Sequence, residues 1–198
     1  MSIPKNPDPA KLVISLFMNS KDIFESAFVE LKRLFGEVDM VSSWFNFDYT
    51  DYYYAEMGSP LFRKVVAFKE LIDQSDLAQI KENTNLLEKK WTADNTIDKV
   101  RNKADEPIKD DSTALNLNRS LNIDPGYLLL SRFILATGKD YSHRIYIGRG
   151  IYADLTLIYK KGGFKSLEWT YPDYASKEMC DFLEQVRAKY ANDLKQSR

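Results

Sequence analysis

Residues 144–154, RIYIGRGIYAD, read as a β-hairpin, and this reading decides the fold class. Gly148-Arg149-Gly150 supplies the turn, and the two arms alternate apolar and polar side chains in matching phase. With Arg149 at the apex, Ile147 opposes Ile151 and Ile145 opposes Ala153 on the core side. Tyr146 then faces Tyr152, and Arg144 faces Asp154, on the outer side. Working outward, Lys161-Gly162-Gly163 marks another turn, leading into an extended run over 164–170. Ser176 is placed to cap a terminal helix whose buried side is Met179, Phe182, Leu183, Val186 and Tyr190. On the other flank, 127–137 (YLLLSRFILAT) reads as one central strand, apolar on both faces. Asp124-Pro125-Gly126 reads as a turn before it, because proline presets one dihedral and glycine accepts a positive φ. Leu115, Leu117, Leu121 and Ile123 alternate with Asn116, Asn118, Ser120 and Asn122, a strand with an amide-rich face.

The first half has a different texture. Residues 11–18 (KLVISLFM) predict a strand, and Ile23, Ala27, Phe28, Leu31, Leu34 and Phe35 recur at helical spacing before Gly36. Residues 39–47 and 61–71 predict two more strands. A second helix begins at the cap Ser75 and buries Leu77, Ile80, Thr84, Leu87 and Trp91. Residues 92–114 carry many charges and read as a flexible loop within the domain. The expected architecture is α+β. It has a ferredoxin-like β-α-β-β-α-β order, extended by antiparallel β-hairpins and a C-terminal helix. One domain over 11–190, with an extended tail at 1–10, is expected; the alternative is a larger antiparallel sheet with helices on one face.

Twenty-eight basic and 29 acidic residues leave a formal charge of -1, so nothing global draws the chain to nucleic acid or anionic lipid. Residues 1–10 hold three prolines and no apolar signal region, and no run approaches a membrane span. Cys180 is the single cysteine, which excludes an internal disulfide and a cysteine metal cluster. A cytoplasmic location fits these features.

Four motifs concentrate chemistry-bearing side chains. Residues 47–58 (FDYTDYYYAEMG) set Asp48, Asp51 and Glu56 among tyrosines; Asp48 and Asp51 are weak metal candidates, since their spacing matches no EF-hand. Residues 122–127 (NIDPGY) add Asn122 and Asp124. Residues 137–149 bring Lys139, His143, Arg144 and Arg149, with one opposing Asp140, and form the best anion-binding segment in the chain. Gly138-Lys139 is not a phosphate-binding P-loop, because the glycine required five places earlier is Phe133. Residues 169–174 (WTYPDY) place Asp173 near the terminal helix and offer Tyr171 and Tyr174 for stacking on a flat ring. Each motif also has an ordinary structural explanation: solvated acids, a turn, the Arg144–Asp154 cross-strand pair, an aromatic plug.

At these motifs the chain resembles an uncharacterised prokaryotic family, domain of unknown function 4416 (DUF4416), over about residues 11–174. Tyr53-Tyr54 with Glu56-Met57-Gly58, residues 122–127, Lys139-Asp140 with His143-Arg144-Ile145-Tyr146, and Tyr171-Pro172-Asp173-Tyr174 carry the resemblance, in the same order. The resemblance implies no assigned activity or cofactor.

The leading expectation is a polar cleft that binds an anionic, nucleotide-like small molecule through Asn122, Lys139, His143, Arg144, Arg149, Asp173 and Tyr174. If the cleft performs acid–base chemistry, Glu56 or Asp124 is the candidate group, with Arg144 or Lys139 holding the anion. The alternative is a non-catalytic protein-interaction or scaffold domain with a protein partner. A ligand site requires Glu56, Asp124, Arg144 and Asp173 to converge; a scaffold lets each pair at its own corner.

Overall fold

The computed structural model of the chain describes residues 3–47, 57–100 and 119–196. Strand β1 (Ala10–Met18) is buried along its whole length, which demands cover on both faces. Helix α1 (Ile23–Phe35) follows and ends at Gly36, whose φ of 87° suits the left-handed stop read from the sequence. Strands β2 (Val38–Val41), β3 (Phe45–Phe47) and β4 (Leu61–Ile72) lead to helix α2 (Leu77–Val100). Strands β5 (Leu121–Leu129), β6 (Arg132–Thr137), β7 (Arg144–Gly148), β8 (Ile151–Lys160) and β9 (Gly163–Ser166) precede helix α3 (Lys177–Gln196). The fold is therefore α+β, with an antiparallel sheet and a C-terminal helix.

The nine strands form one sheet in the order β2-β4-β1-β5-β6-β8-β7. Strand β3 shares the outer edge of β4 with β2, and β9 shares that of β8 with β7. Leu12, Ile14, Leu16 and Met18 pack with Phe24, Ala27 and Leu31 of α1 and Ile80 and Leu87 of α2. A second core joins Val13, Val65 and Phe133 to Met179, Phe182, Leu183, Val186 and Tyr190 of α3. Each Val, Leu, Ile, Phe or Met side chain among these contributes about 1.5–3 kcal/mol on burial. Helices thus cover both faces rather than one. Among the described residues no helix is long and apolar enough to cross a membrane.

The expected cap of the terminal helix is present: Ser176 Oγ accepts from Met179 N at 3.3 Å. The thread before β1 is tied down where Tyr190 donates to the Pro9 carbonyl at 2.7 Å. Before the second helix, however, Asp73 rather than Ser75 is the cap: it accepts from Ser75 N at 2.8 Å and opens a 3-10 turn, Gln74–Asp76, that runs into α2.

The differences have physical reasons. Residues 92–100 belong to α2, not to a loop: a highly charged composition does not by itself exclude a helix. Residues 101–114 lie outside the described residues. The run 39–47 breaks into β2 and β3 because Ser42 Oγ takes the Val65 N–H at 3.0 Å in place of a ladder carbonyl. The run 127–137 is two strands, reversing at Leu130-Ser131. Tyr159 N donates to the Ser131 carbonyl and Arg187 Nε to the Leu130 carbonyl, both at 2.8 Å, so the tertiary structure completes a turn that has no glycine or proline.

In the hairpin of 144–154, Arg144 pairs Asp154, Ile145 pairs Ala153 and Tyr146 pairs Tyr152, as read. Ile151, however, pairs Gly148 rather than Ile147. Arg149 and Gly150 both take positive φ in a two-residue turn, and an irregularity after Tyr146 absorbs Ile147. The inside and outside are also exchanged at Ile145, which is 72% exposed, whereas the Arg144 and Asp154 side chains are buried.

Asp124-Pro125-Gly126 is no turn; it runs straight within β5, with Pro125 opposite Ile14 and Gly126 opposite Val13 of β1. The N–H and carbonyl of Ile123 face away from β1, toward α2, and by the two-residue period those of Pro125 do too. A strand continuing beside β5 would need the N–H that proline lacks. Pairing of β5 with β6 stops at Gly126–Leu135, while β6 continues along β8 to Thr137. The sheet splits there. Gly126 permits the crossing: a Cβ would sit 2.4 Å from the Ile134 carbonyl oxygen. Gly126→Ala is expected to cost about 1–3 kcal/mol through overpacking, read as a lower denaturation midpoint at unchanged m-value.

Candidate functional site

The split between β5 and β6 opens a cavity of about 860 Å³. One lip is Asn122 and Asp124 on β5; the other is residues 135–139 at the end of β6, with Arg144 and Asp154 beyond. Residues 171–174, just before α3, close one side, and Lys81, Asn85 and Glu88 of α2 close another. The floor is a cross-strand row, since Phe17 pairs with Arg63 on β4 and with Asn122 on β5.

The wall holds five cationic side chains (Arg63, Lys81, Arg119, Lys139, Arg144) and four carboxylates (Glu88, Asp124, Asp154, Asp173). Arg63 is 3% exposed and meets Asp173 at 2.5 Å. Burial opposes its charge, but Tyr174, Asp173 and Asp124 more than offset that and hold the guanidinium protonated. The Arg63 guanidinium also lies 4.8 Å from the centre of the Tyr174 ring.

Glu88 occupies the free edge of β5: its Oε1 accepts the Ile123 N–H at 2.7 Å, and Oε2 accepts from Arg119 at 3.2 Å. Lys81 donates to the Ile123 carbonyl at 2.8 Å and lies 3.5 Å from Asp124. Two α2 side chains thereby satisfy the backbone groups that strand β6 leaves behind. Burial, helped by nearby Asp124, pushes the Glu88 carboxyl above its usual range despite Lys81, the Ile123 N–H and Arg119. A raised carboxyl stabilises the fold below its unfolded pKa, and this contribution is lost as pH rises through the higher folded value. Wild type is therefore expected to gain stability relative to Glu88→Gln as pH falls from 7 toward 4.5, measured by denaturant midpoints of both proteins.

At the far lip, Arg144 Nε donates to Asp154 at 2.9 Å, Nη1 to the Lys139 carbonyl at 3.0 Å and Nη2 to the Tyr171 hydroxyl at 3.1 Å. Burial opposes its charge, and the Asp154 and Tyr171 hydrogen bonds outweigh that. His143 is 3.3 Å from the same Asp154 oxygen and stacks on Trp169 at 4.9 Å.

Of the residues expected from sequence, Asn122, Asp124, Lys139, Arg144, Asp173 and Tyr174 converge on this one cavity. His143 stands behind its wall through Asp154. Arg149 does not join them; it pairs with Glu82 at 2.8 Å from the hairpin tip. Tyr174 is 3% exposed, between Arg63 and Phe133, so its ring faces are not open for ligand stacking. Asp173, expected near the N-terminus of the terminal helix, turns its carboxylate to Arg63. Glu56, Asp48, Asp51, Asn116 and Asn118 lie outside the described residues. Among the described residues no group of three or more His, Cys, Asp or Glu is placed to hold a metal.

Arg63, Lys81, Glu88 and Arg119 were not legible as site residues. The available signal was a charge in a buried phase: Arg63 shares the phase of Leu61 and Val65, and Lys81, Thr84 and Glu88 follow the stripe of Leu77, Ile80 and Leu87. The tetrapeptide Asn102-Lys103-Ala104-Asp105 has the spacing of a guanine-reading Asn-Lys-x-Asp and also lies outside the described residues. Without a P-loop it does not make the chain an ordinary P-loop GTPase.

The chain belongs to the family described as Domain of unknown function (DUF4416), whose model matches residues 8–190. No curated protein and no solved structure matches the chain.

Proposed function

We propose that this member of the DUF4416 family binds an anionic small molecule, of about nucleotide size, in the cleft beside Pro125. Convergence carries the reading: cationic side chains from β4, α2, the end of β6, β7 and the residue pair before β5 reach one cavity of about 860 Å³. That volume falls in the range of small-molecule sites, roughly 300–1,000 Å³. Arginine has five N–H donors, and the three contacts of Arg144 leave one on each terminal nitrogen for an anion. The Tyr171 hydroxyl accepts from Arg144 and so keeps its own proton to donate.

A thermal-shift panel of phosphate, sulfate, citrate, sugar phosphates and nucleoside monophosphates tests this. A ligand at a hundred times its Kd stabilises by roughly 2.7 kcal/mol, or roughly 5–11 °C at this chain length. Lys139→Ala is expected to weaken the response. A panel that shifts neither protein sinks the reading for those anions.

Two further points belong to the proposal. The first half is ferredoxin-like: the order β2-β4-β1-β5, in which each helical crossover skips one strand, supports this. An experimental structure pairing β1 directly with β2 would overturn it. Cytoplasmic residence rests on the sequence grounds given above, and cell fractionation checks it.

The second reading, a protein-interaction domain, is favoured by one observation. Tyr141, Ile145 and Tyr146 are 66%, 72% and 60% exposed along and beside the edge strand β7. A partner captured by wild type and retained by Ile145→Lys would count against β7 as its docking edge.

A further inference from the structure

We infer that the occupant of the cleft carries hydroxyl donors next to its anionic group, as a phosphorylated sugar does; this rests on the anion-binding reading above. The argument starts from the four carboxylates of the wall. The side chains of Asp154, Asp173 and Glu88 are 6%, 9% and 10% exposed, and each is held by an arginine at 2.9, 2.5 and 3.2 Å. Asp124 differs: its side chain is 26% exposed, and its nearest cation, Lys81, stands 3.5 Å away. A carboxylate still open to the cavity repels a simple anion such as phosphate. It is compatible with an anionic ligand only if that ligand presents a donor to it.

The donor is a hydroxyl rather than an ammonium. Lys81 already stands beside Asp124, and buried Arg63 acts on the same carboxylate, so an ammonium would have to approach Lys81 closely to reach it. A neutral hydroxyl meets no such repulsion, and a hydrogen bond to an ionised acceptor is roughly twice as strong as one between neutral groups. The carboxylate is also aimed. Asn122 is 5% exposed and donates Nδ2 to Asp124 Oδ2 at 2.8 Å, fixing the rotamer of its neighbour two residues along β5. Asn85 of α2 lines the same side and adds an amide. Across the split, Lys139, Arg144 and Tyr171 offer donors for the anionic end. The two lips thus ask for opposite chemistry at the two ends of one ligand: a carboxylate acceptor on β5, and donors just past β6, on β7 and before α3.

Titration calorimetry of inorganic phosphate, ribose 5-phosphate and glucose 6-phosphate into wild type, Asp124→Ala and Asp124→Asn tests this. The expected result is that a sugar phosphate binds wild type about tenfold or more tighter than inorganic phosphate. Both variants lose that advantage while binding inorganic phosphate at least as well as wild type. Asp124→Asn keeps the side-chain size, so folding is checked independently by its circular dichroism. If phosphate and the sugar phosphates bind wild type equally, or the advantage survives in both variants, the hydroxyl inference is overturned and the anion site stands. If none of the three binds wild type, the inference falls together with the anion reading for phosphates.

Discussion

Asp173→Ala is expected to lower the stability of this protein by about 3–5 kcal/mol, because it strands a buried guanidinium. Arg63 is 3% exposed, packed against the rings of Phe17 and Tyr174, and its salt bridge to Asp173 spans only 2.5 Å. For a chain of this length that cost is roughly 6–20 °C in Tm. Replacing both partners with apolar residues, Arg63→Met with Asp173→Leu, should recover most of the loss, since neither charge is then left without its partner. Thermal unfolding of the single and double variants by circular dichroism measures this. A single variant that melts within about 2 °C of wild type would refute the buried-pair account. The missing carboxylate lies in the cavity wall, so added phosphate should stabilise Asp173→Ala more than wild type.

The second large effect is expected at Lys11→Met. Lys11 is fully buried in β1, yet it opens the apolar run KLVISLFM. Its ammonium meets Asp39 of β2 and lies 2.7 Å from Asp193 of α3; it also donates to the Lys69 carbonyl at 3.2 Å. Lys189 joins the cluster from the solvent side, pairing with Asp193 and standing 3.3 Å from Asp39. Removing Lys11 leaves two carboxylates to Lys189 and costs about 3–5 kcal/mol. The loss should depend on pH in a known direction. Burial opposes ionisation of Asp193, but hydrogen bonds from Lys11 and Lys189 hold its carboxyl below the ordinary aspartate range. Stability from a depressed carboxyl is present above the unfolded pKa and is lost as pH falls through the folded one. The gap between wild type and Lys11→Met should therefore narrow below about pH 4, near the ordinary aspartate value. A gap constant from pH 7 to pH 3 would mean that packing of the lysine stem, not its charge, sets the cost.

The four motifs behave differently when the structure is set beside them. Residues 144–154 form the hairpin, and the Arg144–Asp154 pair is present at 2.9 Å, because strand alternation and glycine-dependent turns are local properties of the chain. The face on which that pair lies was not legible. Alternation tells two faces apart, but only packed neighbours decide which one is inside; here His143, Trp169 and residues 171–174 cover the charged side. Asp124-Pro125-Gly126 shows the opposite failure. The same residues that build a turn in isolation also end strand pairing when they run extended, and β1 on one side of β5 selects the extended form.

By itself the sequence determined the α+β class, helix α1 with its Gly36 stop, the buried stripes of α2 and α3, the Ser176 cap and the presence of a hairpin around Gly148-Arg149-Gly150, though not its exact register. All of these follow from periodicities and dihedral preferences acting over a few residues. Only the tertiary structure decided that β5 and β6 part at Pro125 and that buried Arg63, Lys81 and Glu88 meet Asp124 and Asp173 there. Glu88 and Ile123 are 35 residues apart, and Lys11 and Asp193 are 182 apart. A charged side chain in an apolar run shows that a partner is needed, but the sheet order, set by the whole core, determines which residue it meets.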